Sequence, residues 1–322
     1  MPKLKFIFDT DPGIDDAMAL LLLARHPDVE LLGITTVFGN GGIDTTTRNA
    51  LYLKDRFGLA CPVARGAAGP ITGEAAGPSP EFVHGANGLG NIVLPPKLTA
   101  SEDPRPAARL LIDLIRQHPH EITLIAVGRM TNLALALALD PAIAGLVKQV
   151  VVMGGAFGRN GHTGNVTPVA EANIFGDPVA ADIAFGASWP VVIVGLDVTK
   201  EVTMSNAYVD GLGATGEDGK FVRAISEYYA RFYNAREGID GFFVHDASAV
   251  SYALHPEYFT TERGQIRVAS DGIARGQTIS KPEGKSFAPG AWDDRPMQSI
   301  CVGVDSAKLL ALYSSIFAPE QS

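Results

Sequence analysis

Short apolar runs alternate along this chain with longer stretches whose apolar positions recur at helical spacing. Leu4 to Phe8 is the first run, broken only by Lys5, and the stretch from Ala17 to Ala24 is the first helical one. The run reads as a buried strand and the stretch as a helix, with a turn forced at Pro12-Gly13. The same alternation predicts strands over Leu31 to Val37, Ile122 to Val127, Gln149 to Met153 and Val191 to Gly195. It predicts helices over Thr45 to Phe57, Arg105 to His118, Asn132 to Leu139 and Pro178 to Phe185. Residues 64–103 are rich in Gly, Pro and Ala and read as a long loop. Phe221 to Leu254 reads as mainly helical, and Gln265 to Val304 as an irregular hairpin region before a last helix, Ser306 to Phe317. Strands and helices alternating on this scale predict an α/β fold: an open, mostly parallel central sheet with helices on both faces. No composition shift marks a linker and no repeat recurs, so residues 1–322 read as a single domain.

Composition narrows the function. Apolar residues make up 46% of the chain, enough for a large core, and the formal net charge is −9 with no basic run. That excludes nucleic acid as the expected partner, because phosphate binding needs clustered Lys and Arg. The two cysteines, Cys61 and Cys301, are far apart and outside any C-x-x-C, so neither a disulfide framework nor a thiolate metal site is expected. No apolar segment reaches the ~20 residues needed to span a bilayer. The N-terminal apolar run is too short for a signal peptide and meets acids at once. A cytoplasmic protein is expected.

The candidate chemistry sits in D-T-D-P-G-I-D-D, where Asp9, Asp11, Asp15 and Asp16 fall within eight positions between two apolar elements. Buried carboxylates repel one another unless a cation holds them. Capping acids at a helix start account for Asp15 or Asp16 but not for Asp9 and Asp11. A metal here would have oxygen ligands, which suits Ca²⁺ or Mg²⁺ rather than zinc. In open α/β sheets ligands sit outside the carboxyl ends of the strands. Asp9 and Asp11, Asn40, the segment Gly128 to Asn132, the loop Gly154 to Asn173, and Asp197 all follow predicted strands.

With that block in hand, five others fit one pattern: I-T-T-V-F-G-N (Ile34 to Asn40), H-G-A-N-G-L-G (His84 to Gly90), G-R-M-T-N-L-A-L-A (Gly128 to Ala136), V-V-M-G-G-A-F (Val151 to Phe157) with Asn165 and Glu171 to Ile174 after it, and V-H-D-A (Val244 to Ala247). In this order and almost end to end, the chain resembles the nucleoside hydrolases, the inosine-uridine preferring nucleoside N-ribohydrolase family. The resemblance implies a Rossmann-like fold, a Ca²⁺ cofactor and a role in nucleoside salvage. It also implies a homodimer or homotetramer and a ribonucleoside cleaved at its N-glycosidic bond. Asp11, Asp16 and Asp246 would hold the metal by side chains and Val127 by its carbonyl. Asp15 and Asn173 would bind ribose hydroxyls, with Asn165 and Glu171 toward the 5′ end and Met153 beneath the sugar. Asn40 would orient the attacking water or help hold Asp11. His84 would lie in a loop that covers the base.

Asp11 is then the expected general base and His245 the expected general acid. A structural histidine that orients Asp246 is the alternative for His245. For both His245 and Asp246 to face inward, the backbone there must be irregular or at a helix start, since neighbours on a strand point opposite ways. Tyr229 and Tyr233, four apart, share a helix face and either meet the base or pack in the core. Trp292 is a second stacking candidate. His118, His120 and His255 read as structural, His26 and His162 as exposed. Two rival classes remain: a haloacid dehalogenase-like phosphatase, whose D-x-D opening this chain shares, and a metal-dependent ribose or nucleoside binding protein without turnover.

Overall fold

The computed structural model describes residues 3–317. The elements run β1 (Leu4–Thr10), α1 (Ile14–Arg25), β2 (Val29–Thr36), α2 (Ile43–Phe57), β3 (Val63–Ala64), α3 (Glu81–His84), α4 (Ala107–Gln117), β4 (Ile122–Ala126), α5 (Thr131–Leu139) and β5 (Gln149–Met153). They continue through α6 (Ala172–Gly176), α7 (Pro178–Gly186), β6 (Val191–Val194), α8 (Leu196–Thr199), β7 (Thr203–Met204), α9 (Asn206–Gly213) and α10 (Glu217–Glu237). The last are β8 (Phe242–Phe243), α11 (Asp246–Leu254), β9 (Phe259–Val268), β10 (Thr278–Pro282), β11 (Met297–Val304) and α12 (Ser306–Ser315).

Nine strands form one sheet in the order β10-β9-β11-β6-β5-β4-β1-β2-β3. Every pair from β11 to β3 is parallel; β9 pairs antiparallel with both β10 and β11. The central strands are apolar at consecutive positions because both faces are covered. Phe6, Phe8, Ile125 and Val151 point into one core with α1, α2, α10 and α11, while Ile7, Leu124, Val150 and Val152 point into the other with α4, α5 and α7. Each such side chain contributes roughly 1.5–3 kcal/mol on burial. This is the predicted open, mostly parallel sheet covered on both faces.

Two regions differ from the reading of the sequence. The helical stretch after residue 216 breaks at Gly238, in the left-handed region at φ 69°, and resumes only at Asp246. Between the two helices β8 pairs with β7. The hairpin region is three strands that extend the main sheet, and β9 starts at Phe259. Its first half, Thr260 to Glu262, is exposed, so it shows no apolar alternation, and backbone pairing with β11 alone holds its register. Among the described residues no helix is long and apolar enough to cross a membrane.

Candidate active site

The turn from β1 into α1 builds the acidic side of a cleft at the carboxyl end of the sheet. Asp16 caps its own helix: its Oδ2 accepts the Gly13 N–H at 2.8 Å, and its Oδ1 accepts Thr10 Oγ1 at 2.5 Å and the Asp11 N–H at 3.2 Å. Asn40, in the loop after β2, donates its Nδ2 to Asp16 Oδ2 at 2.9 Å and its backbone N–H to Asp11 Oδ2 at 2.7 Å. The loop passes so close that a Cβ at Gly39 would lie 2.6 Å from Asp11 Cγ. From the far end of the chain, α11 brings Asp246, and carboxylate oxygens of Asp15, Asp16 and Asp246 all lie within 4.8 Å of one another.

These acids are out of water, and burial is the first cause of their perturbation. Asp11 is held well above the usual carboxylate range by burial and then by Asp16, with Arg129 opposing. Asp15 is raised to about 6 by burial, and Asp246 well above normal by burial and then by Asp15, Asp16 and Asp11. Asp11 Oδ1 and Asp15 Oδ1 are buried without a hydrogen-bond partner. Crowded acids with two orphaned oxygens and no Cys nearby fit a hard cation held by oxygen. The Val127 carbonyl, beside them, accepts Asn173 Nδ2 at 2.7 Å.

Asp9 lies apart from this group. It is fully buried and accepts Thr35 Oγ1 at 2.5 Å and Asn132 Nδ2 at 2.8 Å, which tie β1 to β2 and α5. The four acids of the sequence block are therefore not one site, because β2 and α5 cover Asp9 separately. Asp197 is likewise structural: its carboxylate accepts the Phe157 N–H at 2.9 Å and the Arg159 N–H at 2.6 Å, holding the loop after β5.

The next segment lines another side of the cleft. Glu171 caps α6, accepting backbone N–H groups of Asn173 at 2.9 Å, Ile174 at 3.2 Å and Gly155 at 3.0 Å. Asn165 Oδ1 accepts the Ala172 N–H at 3.0 Å. Met153, at the end of β5, lies beside Asn173 and lines the cleft with it.

The remaining wall comes from α10 and the start of α11. His245, with φ −83° and ψ −76°, is the residue before α11, which is how it and Asp246 both reach the cleft. Its Nδ1 is 2.8 Å from Thr199 Oγ1 and its Nε2 is 2.7 Å from the Tyr233 hydroxyl. Burial, then the charge of Lys200, push its pKa down to about 3, so the imidazole is neutral. The Tyr229 hydroxyl donates to Asp15 Oδ2 at 3.1 Å, and its ring stacks on His84 at 5.5 Å. Both tyrosines thus pack in the core and touch the site at once. His84 ends the short helix α3, is buried, and accepts the Ile14 N–H at 3.3 Å on Nδ1.

Trp292 lies between β10 and β11, away from the cleft lining. His26 and His162, expected to be exposed, are half-buried: His26 packs edge-on to His255, and His162 sits 2.5 Å from Glu201. Sequence reasoning missed several neighbours of the site. Phe82 and Phe232 meet at 5.9 Å and line the cleft, as do Lys200 and Glu237. Arg129 lies over Phe38, 4.3 Å from the ring centre, close enough to Asp11 and Glu171 to feel both charges. Arg129 fell in a segment already marked by its place after β4; Lys200 carried no comparable signal.

A mostly parallel sheet with buried acids and an imidazole gathered at the carboxyl ends of its strands has the place and the groups for a hydrolytic site. Residues 6–311 match the family described as inosine-uridine preferring nucleoside hydrolase. The chain is 41% identical to an inosine-uridine preferring nucleoside hydrolase of Leishmania major over 283 residues, 87% of this chain and 88% of that one. It is 38% identical to a probable uridine nucleosidase 1 of Oryza sativa subsp. japonica over 315 residues, 97% and 96% of the two chains. A solved plant nucleoside hydrolase superposes with a TM-score of 0.95 at 37% identity, covering 99% of this chain and 100% of that one. The chain belongs to the inosine-uridine preferring nucleoside hydrolase family. It is an N-ribohydrolase, an enzyme acting on N-glycosyl compounds, and the phosphatase and silent-binder readings fall with that assignment.

Proposed function

We propose that this chain hydrolyses ribonucleosides to free base and ribose with Ca²⁺ as cofactor. The observation that carries the proposal is the buried cluster of Asp11, Asp15, Asp16 and Asp246, with two orphaned oxygens, of which Asp15 and Asp246 line the same cleft as Tyr233 and His245. Asp11, Asp16 and Asp246, with the Val127 carbonyl, would hold the ion. When bound, Ca²⁺ supplies charge that orients the ribose diol and makes water more acidic.

Asp11 takes a proton from the attacking water at Oδ1, the oxygen that Asn40 leaves free. Asp15 and Asn173 hold ribose hydroxyls, Asn165 and Glu171 face the 5′ end, and Met153 packs beneath the ring. The surrounding carboxylates stabilise positive charge as it grows on the sugar. The water oxygen bonds to C1′ while the C1′–N bond breaks, and its electron pair leaves with the base. The base nitrogen then takes a proton from the hydrogen-bonded Tyr233–His245 pair, which the proton collected by Asp11 later replaces through solvent.

The names of the relatives make uridine and inosine the first substrates to test. We also propose a single cytoplasmic domain that assembles as a homodimer or homotetramer. The test is ribose release from uridine, inosine, cytidine, adenosine and guanosine, with Ca²⁺ and with chelator. Metal-dependent release with inversion at C1′ is the expected result. Retained β-ribose, or release untouched by exhaustive metal removal, would sink the mechanism.

A further inference from the structure

The cleft is lined by Asp15, Glu171, Glu237 and Asp246 and by two cations, Lys200 and Arg236. Lys200 belongs to the wall that carries His245. Lys200 is fixed to that wall from two directions. The residue before it, Thr199, bonds His245 Nδ1 at 2.8 Å. Its ammonium lies 5.3 Å from the ring centre of Phe243, two residues before His245. Glu237 holds the ammonium at 3.2 Å, the Lys200 side chain is 14% exposed, and the residue lines the cleft. Arg236 donates to the Asn165 carbonyl at 3.0 Å and, among the described residues, has no carboxylate partner. Lys200 is thus a fixed cation in a cleft whose lining is acidic overall.

That charge has a use in the reaction. The electron pair of the breaking C1′–N bond goes to the base, and an oxo-substituted ring spreads it onto carbonyl oxygens. His245 already has both ring nitrogens committed, to Thr199 and to Tyr233. A cation held in place beforehand costs no reorganisation when the charge appears. On the hydrolytic reading above, we propose that Lys200 stabilises the negative charge developing on the departing base, so that its importance grows as the base becomes a poorer leaving group.

The test compares Lys200→Met, which keeps the stem over Phe243, with Lys200→Arg, which keeps the charge. Both are measured on uridine and on 4-nitrophenyl riboside, whose leaving group needs little help. Lys200→Met should lower kcat on uridine about 10- to 100-fold with KM nearly unchanged. It should lower the nitrophenyl rate less than about 3-fold, and Lys200→Arg should recover most of the loss. Equal losses on both substrates, a change in KM alone, or no loss would each overturn the proposal. Equal thermal midpoints for the two variants exclude misfolding as the cause. If the unmodified enzyme releases no ribose from any natural nucleoside, the hydrolytic reading fails instead, and that outcome is separate from the behaviour of Lys200.

Discussion

Gly39→Ala is the sharpest probe of how the acid cluster is held. Gly39 carries no unusual backbone angle; what forbids a side chain is Asp11, whose Cγ would lie 2.6 Å from the new Cβ. Carbon atoms in contact sit about 3.5–4.0 Å apart, so the carboxylate must swing roughly 1 Å or the loop must lift. Either movement breaks the 2.7 Å bond from the Asn40 N–H to Asp11 Oδ2. A hydrogen bond to a charged group contributes about 1.5–3 kcal/mol. Part of that returns through solvation or cation binding, so thermal stability should fall by only about 1–2 kcal/mol. Activity should suffer more, because a 1 Å misplacement of a reacting group costs on the order of 100-fold. The assay is ribose release from a turned-over nucleoside at saturation, beside a thermal melt. Gly211→Ala is the control: it lies in α9, and a Cβ there meets nothing within 4 Å. It should keep full activity and gain up to about 1 kcal/mol from helix propensity. Activity within about 3-fold of normal in Gly39→Ala would refute the claim that this loop sets the position of Asp11.

Other outcomes follow from the same contacts. Asn132→Ala strands the buried Thr36 carbonyl and the half-buried Ala67 N–H and leaves Asp9 Oδ1 with Thr35 alone, and should cost about 2–4 kcal/mol in urea unfolding; a loss under 1 kcal/mol would show that water replaces the amide. Chelation should lower the melting temperature as well as activity, since the clustered acids then repel without a counter-ion, and added Ca²⁺ should restore both; an unchanged melt on verified metal removal would mean that no structural cation binds there. Cys61, its thiol pushed up to about 11 by burial, and the fully buried Cys301 should resist a thiol reagent in the native protein and both react after unfolding; fast native labelling would contradict the packing.

The sequence by itself determined the framework of β1, its turn and α1, because the signals there are local. Consecutive apolar residues specify a strand buried on both faces, Pro12-Gly13 breaks it, and acids at the next helix start suit the dipole. It also required an irregular backbone at His245, which the helix start at Asp246 supplies. Other features depend on elements distant in the chain, which no local pattern encodes. Asp9 and Asp11 look equivalent in sequence, yet β2 and α5 take one as a buried tie while Asn40 turns the other toward the cluster. Phe259–Val268 joined the main sheet through backbone pairing that side-chain periodicity does not report. Lys200 and Arg129 are isolated basic residues in the sequence. Only the packing of α8 against His245, and of Arg129 over Phe38, places their charges beside the cleft and beside Asp11. Chain order fixes what each residue can do; the electrostatic field that a residue meets is set by whichever elements the fold brings around it.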